Sequence, residues 1–469
     1  MIKSTAFVPR RDSHVARDRA LKSGQGVSRR GITDPKLPGQ TLVLGRSDLA
    51  KVLPSFGVGP NVFVDIKSVV SDVEFDVTQA RAMARSTVVF EQAEKGQPII
   101  DLRQDIHELV IDGKTVDPKR YITVQDPDKQ SQMGVVGVVL PAGQHTVEMS
   151  YSLRDRENLN FERGGVEFFQ RSTDLSPRGY SERYFPSNFE YDQYPHVMTL
   201  HLKGAQHPHR VMSNGEVEDL GDGRFKVTYP EHFNTACPFL HIIDPAKYTI
   251  LDEIYPGKER PIPMRIYSRS AQAAKEALAK SKAVMKENEA AIGPYAHPCW
   301  TVCLDPTYPG GMEYAGATIT NASALAHELT HSWYARGVMP RGGNSGWLDE
   351  AFAKWRDRGY PRRRPGGFGH PQLARFSPWR RHTPREASKA GSDFLSELDY
   401  VFRDKGGLRP VMAEMYLQFK HQTITTEMFE AFVAARADDP AEIASLFRSR
   451  VYNETQDSAE KIPGSRQVA

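Results

Sequence analysis

The chain has 469 residues, 39% hydrophobic and 25% charged, with a formal net charge of +3. That length supports two or three domains with a substantial core, and so small a charge gives no case for nucleic acid or an anionic membrane as partner. No stretch approaches the ~20 apolar residues a membrane helix needs, the start MIKSTAFVPRRDSHVARDR lacks the apolar run of a secretory signal, and Cys237, Cys299 and Cys303 are too few for a disulfide framework. A cytoplasmic location is the expectation, although a leader removed by processing would leave the same appearance.

Basic residues cluster in the first forty positions and again from Arg362 to Lys389. Residues 1–45 are basic, rich in Ser, Gly and Pro, and without periodicity, which reads as a mobile tail. From 46 to 246 the signals are β. SVVSDVEFDV, STVVF, PIIDL, ELVIDGKTV, VGVVLPAGQHTVEMSYSL and HVMTLHLKG are apolar-rich or alternating stretches, separated by DG, AG and NG turns at the intervals of an all-β sandwich. From 247 to 460 the composition turns helical. SAQAAKEALAKSKAVMKENEAAI has helix formers at helical spacing, and the strand HPCWTVCLD follows, with Cys299 and Cys303 read as buried thiols rather than metal ligands. NASALAHELTHSWYARG and WLDEAFAKWRDRG come next as helices. A Pro, Gly and Arg-rich excursion then gives way to SDFLSELDYVFRDK, LRPVMAEMYLQF and TTEMFEAFVAAR, with a tail over 461–469. The fold class expected is α+β and multidomain.

His327 and His331 stand four apart in HELTH. On a helix that spacing puts both imidazoles on one face, in reach of one metal ion. A catalytic zinc wants three protein ligands and one open position, and Glu350 in WLDEAFAKW can supply the third across the turn-rich GVMPRGGNSG. Asn321 can cap the helix. Glu328 then faces the open side as general base for metal-assisted hydrolysis. The competing reading is two satisfied histidines on a buried helix.

These residues resemble the aminopeptidase N family of zinc metallopeptidases, the gluzincins that also include leukotriene hydrolase, in its short bacterial-type two-domain form. The family signature is H-E-x-x-H, eighteen residues, then Glu in W-L-N-E-G-F-A, and here eighteen residues separate His331 from Glu350 in WLDEAFA. The family's G-x-M-E-N is matched by GGMEY at Gly310–Tyr314, and RYFPSNFEYDQYPHVMTLHL and TITTEMFEAFV resemble further segments. The resemblance implies an N-terminal β-saddle domain and a mainly helical, thermolysin-like catalytic domain. It implies one zinc per chain on His327, His331 and Glu350, with Glu328 as base. Glu313 would hold the α-ammonium of a peptide substrate, and Gly310 and Gly311 would lie along its backbone. The expected activity is that of an aminopeptidase. The alternatives are a zinc protein of this fold that binds peptides with weak or no catalysis, and another hydrolytic specificity such as that of an endopeptidase or epoxide hydrolase.

The sequence also departs from the family. H-x-W-x-G-N becomes HSWYAR, with Ala335 and Arg336 for Gly and Asn. Glu313 lies fourteen positions before His327, a shortened interval. The chain leaves no room for a large C-terminal helical domain after the catalytic one, which implies an open cleft. The tyrosine that donates to the tetrahedral intermediate aligns with Ser388, leaving Tyr360, Tyr400, Tyr416, His382 or an arginine of the preceding loop to substitute. Asp174 is the nearest match to a second amine-binding acid. Arg362, Arg363, Arg364, Arg375, Arg380, Arg381 and Arg385 read as a solvated basic loop, or as a lip that attracts acidic peptides.

Overall fold

The computed structural model describes residues 60–125, 132–162, 164–174, 178–341, 345–366, 373–374, 383 and 386–453. Both terminal tails, His382, Arg375, Arg380, Arg381 and Arg385 lie outside the described residues.

The alternating sequences of the first half form strands with alternating burial. Asp65–Asp76 and Arg81–Gln92 pair antiparallel, and each buries every second side chain along most of its length. They sit inside an eight-stranded sheet in the order Glu216–Gly221, Arg224–Thr228, His196–Lys203, Asp65–Asp76, Arg81–Gln92, Gly143–Leu153, Asp105–Ile111, Lys114–Val116. Two of its hairpins turn on DG pairs. Asp112 and Gly113 have φ of 48° and 74°, and Asp222 and Gly223 have 52° and 70°, the left-handed pair that matches the twist of the flanking strands. His196–Lys203 joins Asp65–Asp76 in parallel, a pairing across more than a hundred residues. A four-stranded sheet of Leu159–Glu162, Gly165–Phe169, Leu240–Ile243 and Arg210–Ser213 shares its core, with Val166, Phe168, Val211 and Ile242 packed among Val73, Phe75, Val88 and Leu200.

The second half is built on a five-stranded sheet ordered Thr249–Tyr255, Ile262–Ser268, Trp300–Leu304, Ala317–Thr320, Gly311–Tyr314. Its central strands run parallel, joined by helix α1 (Ala271–Ala291) as a crossover. Ser270 Oγ accepts from Ala273 N at 3.3 Å to cap α1, whose Ala274, Ala277, Leu278, Val284 and Met285 are buried. Helices α2 (Leu325–Thr330), α3 (Trp347–Asp357), α4 (Ser392–Val401), α5 (Leu408–Phe419), α6 (Thr426–Ala434) and α7 (Pro440–Arg450) follow. Trp300, Trp333, Trp347, Trp355, Phe394 and Phe447 lie in one core beneath them. No helix among the described residues is long and apolar enough to cross a membrane.

A third apolar cluster joins the halves, with Tyr180, Met212 and Phe239 against Tyr267, Met312 and Tyr314. The Tyr314 hydroxyl accepts from Ser172 N and donates to Gln170 O, each at 3.1 Å. These bonds pin the edge strand Gly311–Tyr314 to the first half. They also carry Asp174 toward the second.

One expectation needs correcting. The run NASALAHELTHSWYARG is not one helix: α2 ends at Thr330, His331 is its C-cap, and the chain turns through Ser332–Gly337. Asn321 Oδ1 caps the turn leading into α2, accepting from Ser323 N at 2.9 Å and Ala324 N at 3.0 Å. Arg362 and Arg363 are exposed, as a solvated segment would be, but they are anchored rather than loose. They reach Asp399 Oδ2 at 2.5 Å and Glu397 Oε1 at 2.9 Å, tying the segment after α3 to α4.

Candidate active site

Helices α2 and α3 bring three donors together. The His327 and His331 rings stand 4.7 Å apart, edge to face, and Glu350 Oε2 from the first turn of α3 lies 3.5 Å from His327 Nε2. One ligand atom from each of His327, His331 and Glu350 lies within 4.8 Å of the others.

Two carboxylates that the sequence reading passed over aim the rings. Asp357 Oδ2 is 2.7 Å from His327 Nδ1, and Asp349 Oδ1 is 2.6 Å from His331 Nδ1. The His327 contact is a hydrogen bond, which leaves Nε2 of that ring for a metal, the usual way a carboxylate fixes the tautomer of a ligating histidine. The His331 contact is a close ion pair without hydrogen-bond geometry, so that Asp349 acts on that ring through its charge. Two imidazole nitrogens, one carboxylate and this outer support fit zinc. Asp357 was findable: it follows Glu350 by seven residues, two helical turns, and so shares its side of α3.

The electrostatics follow from burying many charges together. Burial by itself lowers the pKa of His327, but hydrogen bonds to Asp357 and Glu350 and the charge of Glu328 raise it to about 11. Burial likewise opposes His331, which the charges of Asp349 and Glu313 raise to about 10. Asp349 is held at about 2 against burial by the His331 and Arg336 charges. A metal ion would displace protons from both rings on binding.

Glu328 is buried beside the three donors. Burial pushes its carboxyl up to about 7, the two histidines pull it down, and Glu350 and Asp174 add to the rise. Gly311 makes room for it, because a Cβ there would lie 2.3 Å from Glu328 Cδ. Gly310, at φ 128°, accepts from Asn321 N at 3.0 Å and shapes the turn that enters the edge strand.

Glu313 projects from that strand and is buried, within 4.8 Å of Asp174 and Asp349 measured between carboxylate oxygens. Burial drives the Glu313 pKa well up, with Arg336 opposing and Asp349 and Asp174 reinforcing the rise. Asp174 is raised to about 6 by burial and by the charges of Glu350 and Asp349. The Glu313 carboxylate already has a cation: Arg336 Nη2 donates to its Oε1 at 2.5 Å, and Arg336 Nη1 reaches Asp349 Oδ2 at 3.5 Å. Nothing in the sequence spacing announced that contact. The turn that delivers Arg336 holds Ala335 at φ 151°, a conformation that suits glycine better than alanine.

Of the tyrosines considered as oxyanion donors, Tyr416 has its hydroxyl engaged elsewhere, and Tyr360 and Tyr400 make ring contacts away from the three candidate ligands. The Tyr416 hydroxyl donates to Pro294 O, Tyr360 packs edge-on against Trp355 beneath Arg409, and Tyr400 lies under Arg403. Ser388 is half-buried in the 387–391 turn that packs on α3, where Gly391 closes on Ala351. Tyr308, not anticipated, is close enough to feel Glu328, Glu313 and Asp174: burial raises its phenol, Arg171 lowers it, and the three acids raise it further.

No family model matches the sequence, and no curated protein matches it. Solved structures do match in shape. Aminopeptidase A of Legionella pneumophila superposes with a TM-score of 0.63 at 14% identity, over 85% of this chain and 50% of its own. Leukotriene A4 hydrolase from Saccharomyces cerevisiae gives 0.59 at 14% identity, over 83% of this chain and 68% of its own. An M1 zinc metallopeptidase from Deinococcus radiodurans gives 0.55 at 15% identity, over 86% of this chain and 97% of its own. The chain shares their fold. It spans about half the length of the Legionella protein and nearly all of the Deinococcus one. At these identities the likeness is one of fold, and the chemistry has to be argued from the residues above.

Proposed function

We propose that the protein is a zinc-dependent peptidase of the aminopeptidase N type, hydrolysing N-terminal residues from peptides, with one zinc per chain on His327, His331 and Glu350. The observation that carries this reading is the convergence of one ligand atom each from His327, His331 and Glu350 within 4.8 Å of one another, with His327 Nδ1 held by Asp357 at 2.7 Å and buried Glu328 alongside. Zinc bound there supplies Lewis acidity and an acidified water. The protein's own part is positional and protolytic. The Glu328 carboxylate takes a proton from the attacking water and returns it to the leaving amine nitrogen. Gly311–Tyr314 is the edge of its sheet, so an extended peptide can pair along it past Glu328. A terminal ammonium would meet an acidic cluster that includes buried Asp174, which admits a free N-terminus to the site.

Ser388 favours a second reading, a zinc protein of this fold that holds peptide and turns it over slowly. A serine hydroxyl cannot reach where a phenol would, and a lost oxyanion donor costs about 10²–10³ in rate. Turnover of a panel of aminoacyl amides by the parent and by Glu328→Gln separates the two. The peptidase reading expects measurable parent turnover that falls by about 10² or more in the variant while its zinc is kept. Unchanged turnover in Glu328→Gln would remove the base from that role.

A further inference from the structure

Arg336 is almost fully buried, 3% exposed, in a place where its charge bears on substrate choice. Its Nη2 lies on Glu313, its Nη1 reaches Asp349, and Nη1 also donates to Ala335 O at 3.1 Å. The backbone fixes the side chain there: Arg336 N donates to His331 O at 2.9 Å, and the preceding turn is anchored by Trp333 Nε1 on Gly293 O at 2.9 Å. A guanidinium held by two carboxylates and its own turn is not a mobile side chain that swings away when a ligand arrives.

Of the three clustered acids, Asp349 is committed to His331 and Arg336, and Glu313 to Arg336. Asp174 Oδ2 is buried with no hydrogen-bond partner among the described residues. An ammonium placed on Glu313 would stand next to a fixed like charge in a poorly hydrated site, where repulsion is weakly screened. Asp174 feels the charges of Arg178 and Arg336 as well, but among the described residues neither forms an ion pair with it, so an ammonium on Asp174 stands farther from a fixed cation than one on Glu313.

We propose that Arg336 is a specificity-determining residue: a built-in cation that takes Glu313 out of ammonium recognition, so that a free N-terminus is admitted through Asp174 but not required, and peptides with a blocked N-terminus are also substrates. This rests on the peptidase reading of the site. A purely structural counter-ion would stabilise the fold without altering the ratio at which free and blocked peptides are used. A specificity determinant alters that ratio.

The test compares trialanine with N-acetyl-trialanine on the zinc-loaded full chain, as kcat/KM, and as Kd in the Glu328→Gln background. The parent should favour the free peptide by less than about tenfold, and Arg336→Asn should raise that preference by about tenfold or more. Glu313→Gln, which leaves Arg336 beside Asp349, should change it by less than about threefold. Because Arg336→Asn leaves two buried acids without their cation, it risks misfolding; in that event the parent and Glu313→Gln ratios decide. A parent preference above about tenfold that collapses in Glu313→Gln overturns the proposal, as does an unchanged ratio in folded Arg336→Asn. If neither peptide is hydrolysed but the Kd ratios behave as stated, the hydrolytic reading fails and the role of Arg336 stands. If neither peptide binds, the role of Arg336 falls as well.

Discussion

Asp357 offers a probe of the proposed metal centre because it touches His327 and neither of the other two candidate ligands, its second oxygen lying 3.6 Å from Arg356 Nη1. Its Oδ2 is 2.7 Å from His327 Nδ1, its side chain is 25% exposed, and it ends α3, so a change there need not disturb the core. Removing a carboxylate that orients a ligating histidine typically costs 10–100-fold in metal affinity, about 1.4–2.8 kcal/mol. The two components of that loss can be separated. Asp357→Asn keeps an oxygen to accept from Nδ1 but loses the charge, so it should sit near the lower end, about tenfold. Asp357→Ala loses both and should approach about a hundredfold. Competition with a fluorescent zinc chelator near neutral pH reads the affinities, and the thermal midpoint confirms the fold. Glu414→Gln is the control, since Glu414 pairs with Arg436 at 2.7 Å without touching Asp357 or the three candidate ligands. Parent-like affinity in Asp357→Ala would refute the assignment of His327 as a ligand held through Nδ1.

Gly311→Ala should leave the fold intact but displace Glu328, whose Cδ lies 2.3 Å from where the new Cβ would stand. Turnover should fall by about tenfold or more with zinc affinity nearly unchanged, and parent-like kcat would mean that the carboxylate has slack. Asp192 gives a pH-dependent prediction far from the metal. It is buried, accepts from Ile66 N at 2.8 Å and Asn188 Nδ2 at 2.6 Å, and burial raises its pKa from the usual 3.8 to about 7. The folded state therefore holds this proton more tightly than the unfolded chain, so stability is lost as pH rises from about 4 to about 7 and stays lost above. Asp192→Asn removes that penalty, on the order of a few kcal/mol at most, less the cost of one weakened backbone bond. Its thermal midpoint should gain on the parent at about pH 8 relative to about pH 4, and an equal difference at both pH values would contradict this.

The candidate ligands were legible because paired histidines on a helix leave a short-range trace. His327 and His331 are one turn apart, and Glu350 sits in a run whose apolar spacing marks α3. What lay beyond that trace depended on turns. The expected helix stops at Thr330 because the next residues fold back, with Trp333 anchored on Gly293 and Ala335 in a left-handed conformation, and no periodicity records that reversal. The turn, not the motif, puts Arg336 on Glu313, 23 residues away in sequence. Asp349 and Asp357 were inside the quoted run, but their value shows only once the Nδ1 atoms have positions. In the first half the alternation and the DG turns were readable as strands and hairpins. The sheet order was not, because the parallel pairing of His196–Lys203 with Asp65–Asp76 is non-local and nothing in either strand names its partner.

Zinc content is the most direct measure of the central claim. Protein purified without chelator, analysed for metal as the parent and as His331→Ala, should give about one zinc per chain in the parent and little in the variant, since two imidazoles and a carboxylate define the site. Equal zinc in both proteins, or none in a parent offered zinc in excess, would contradict it.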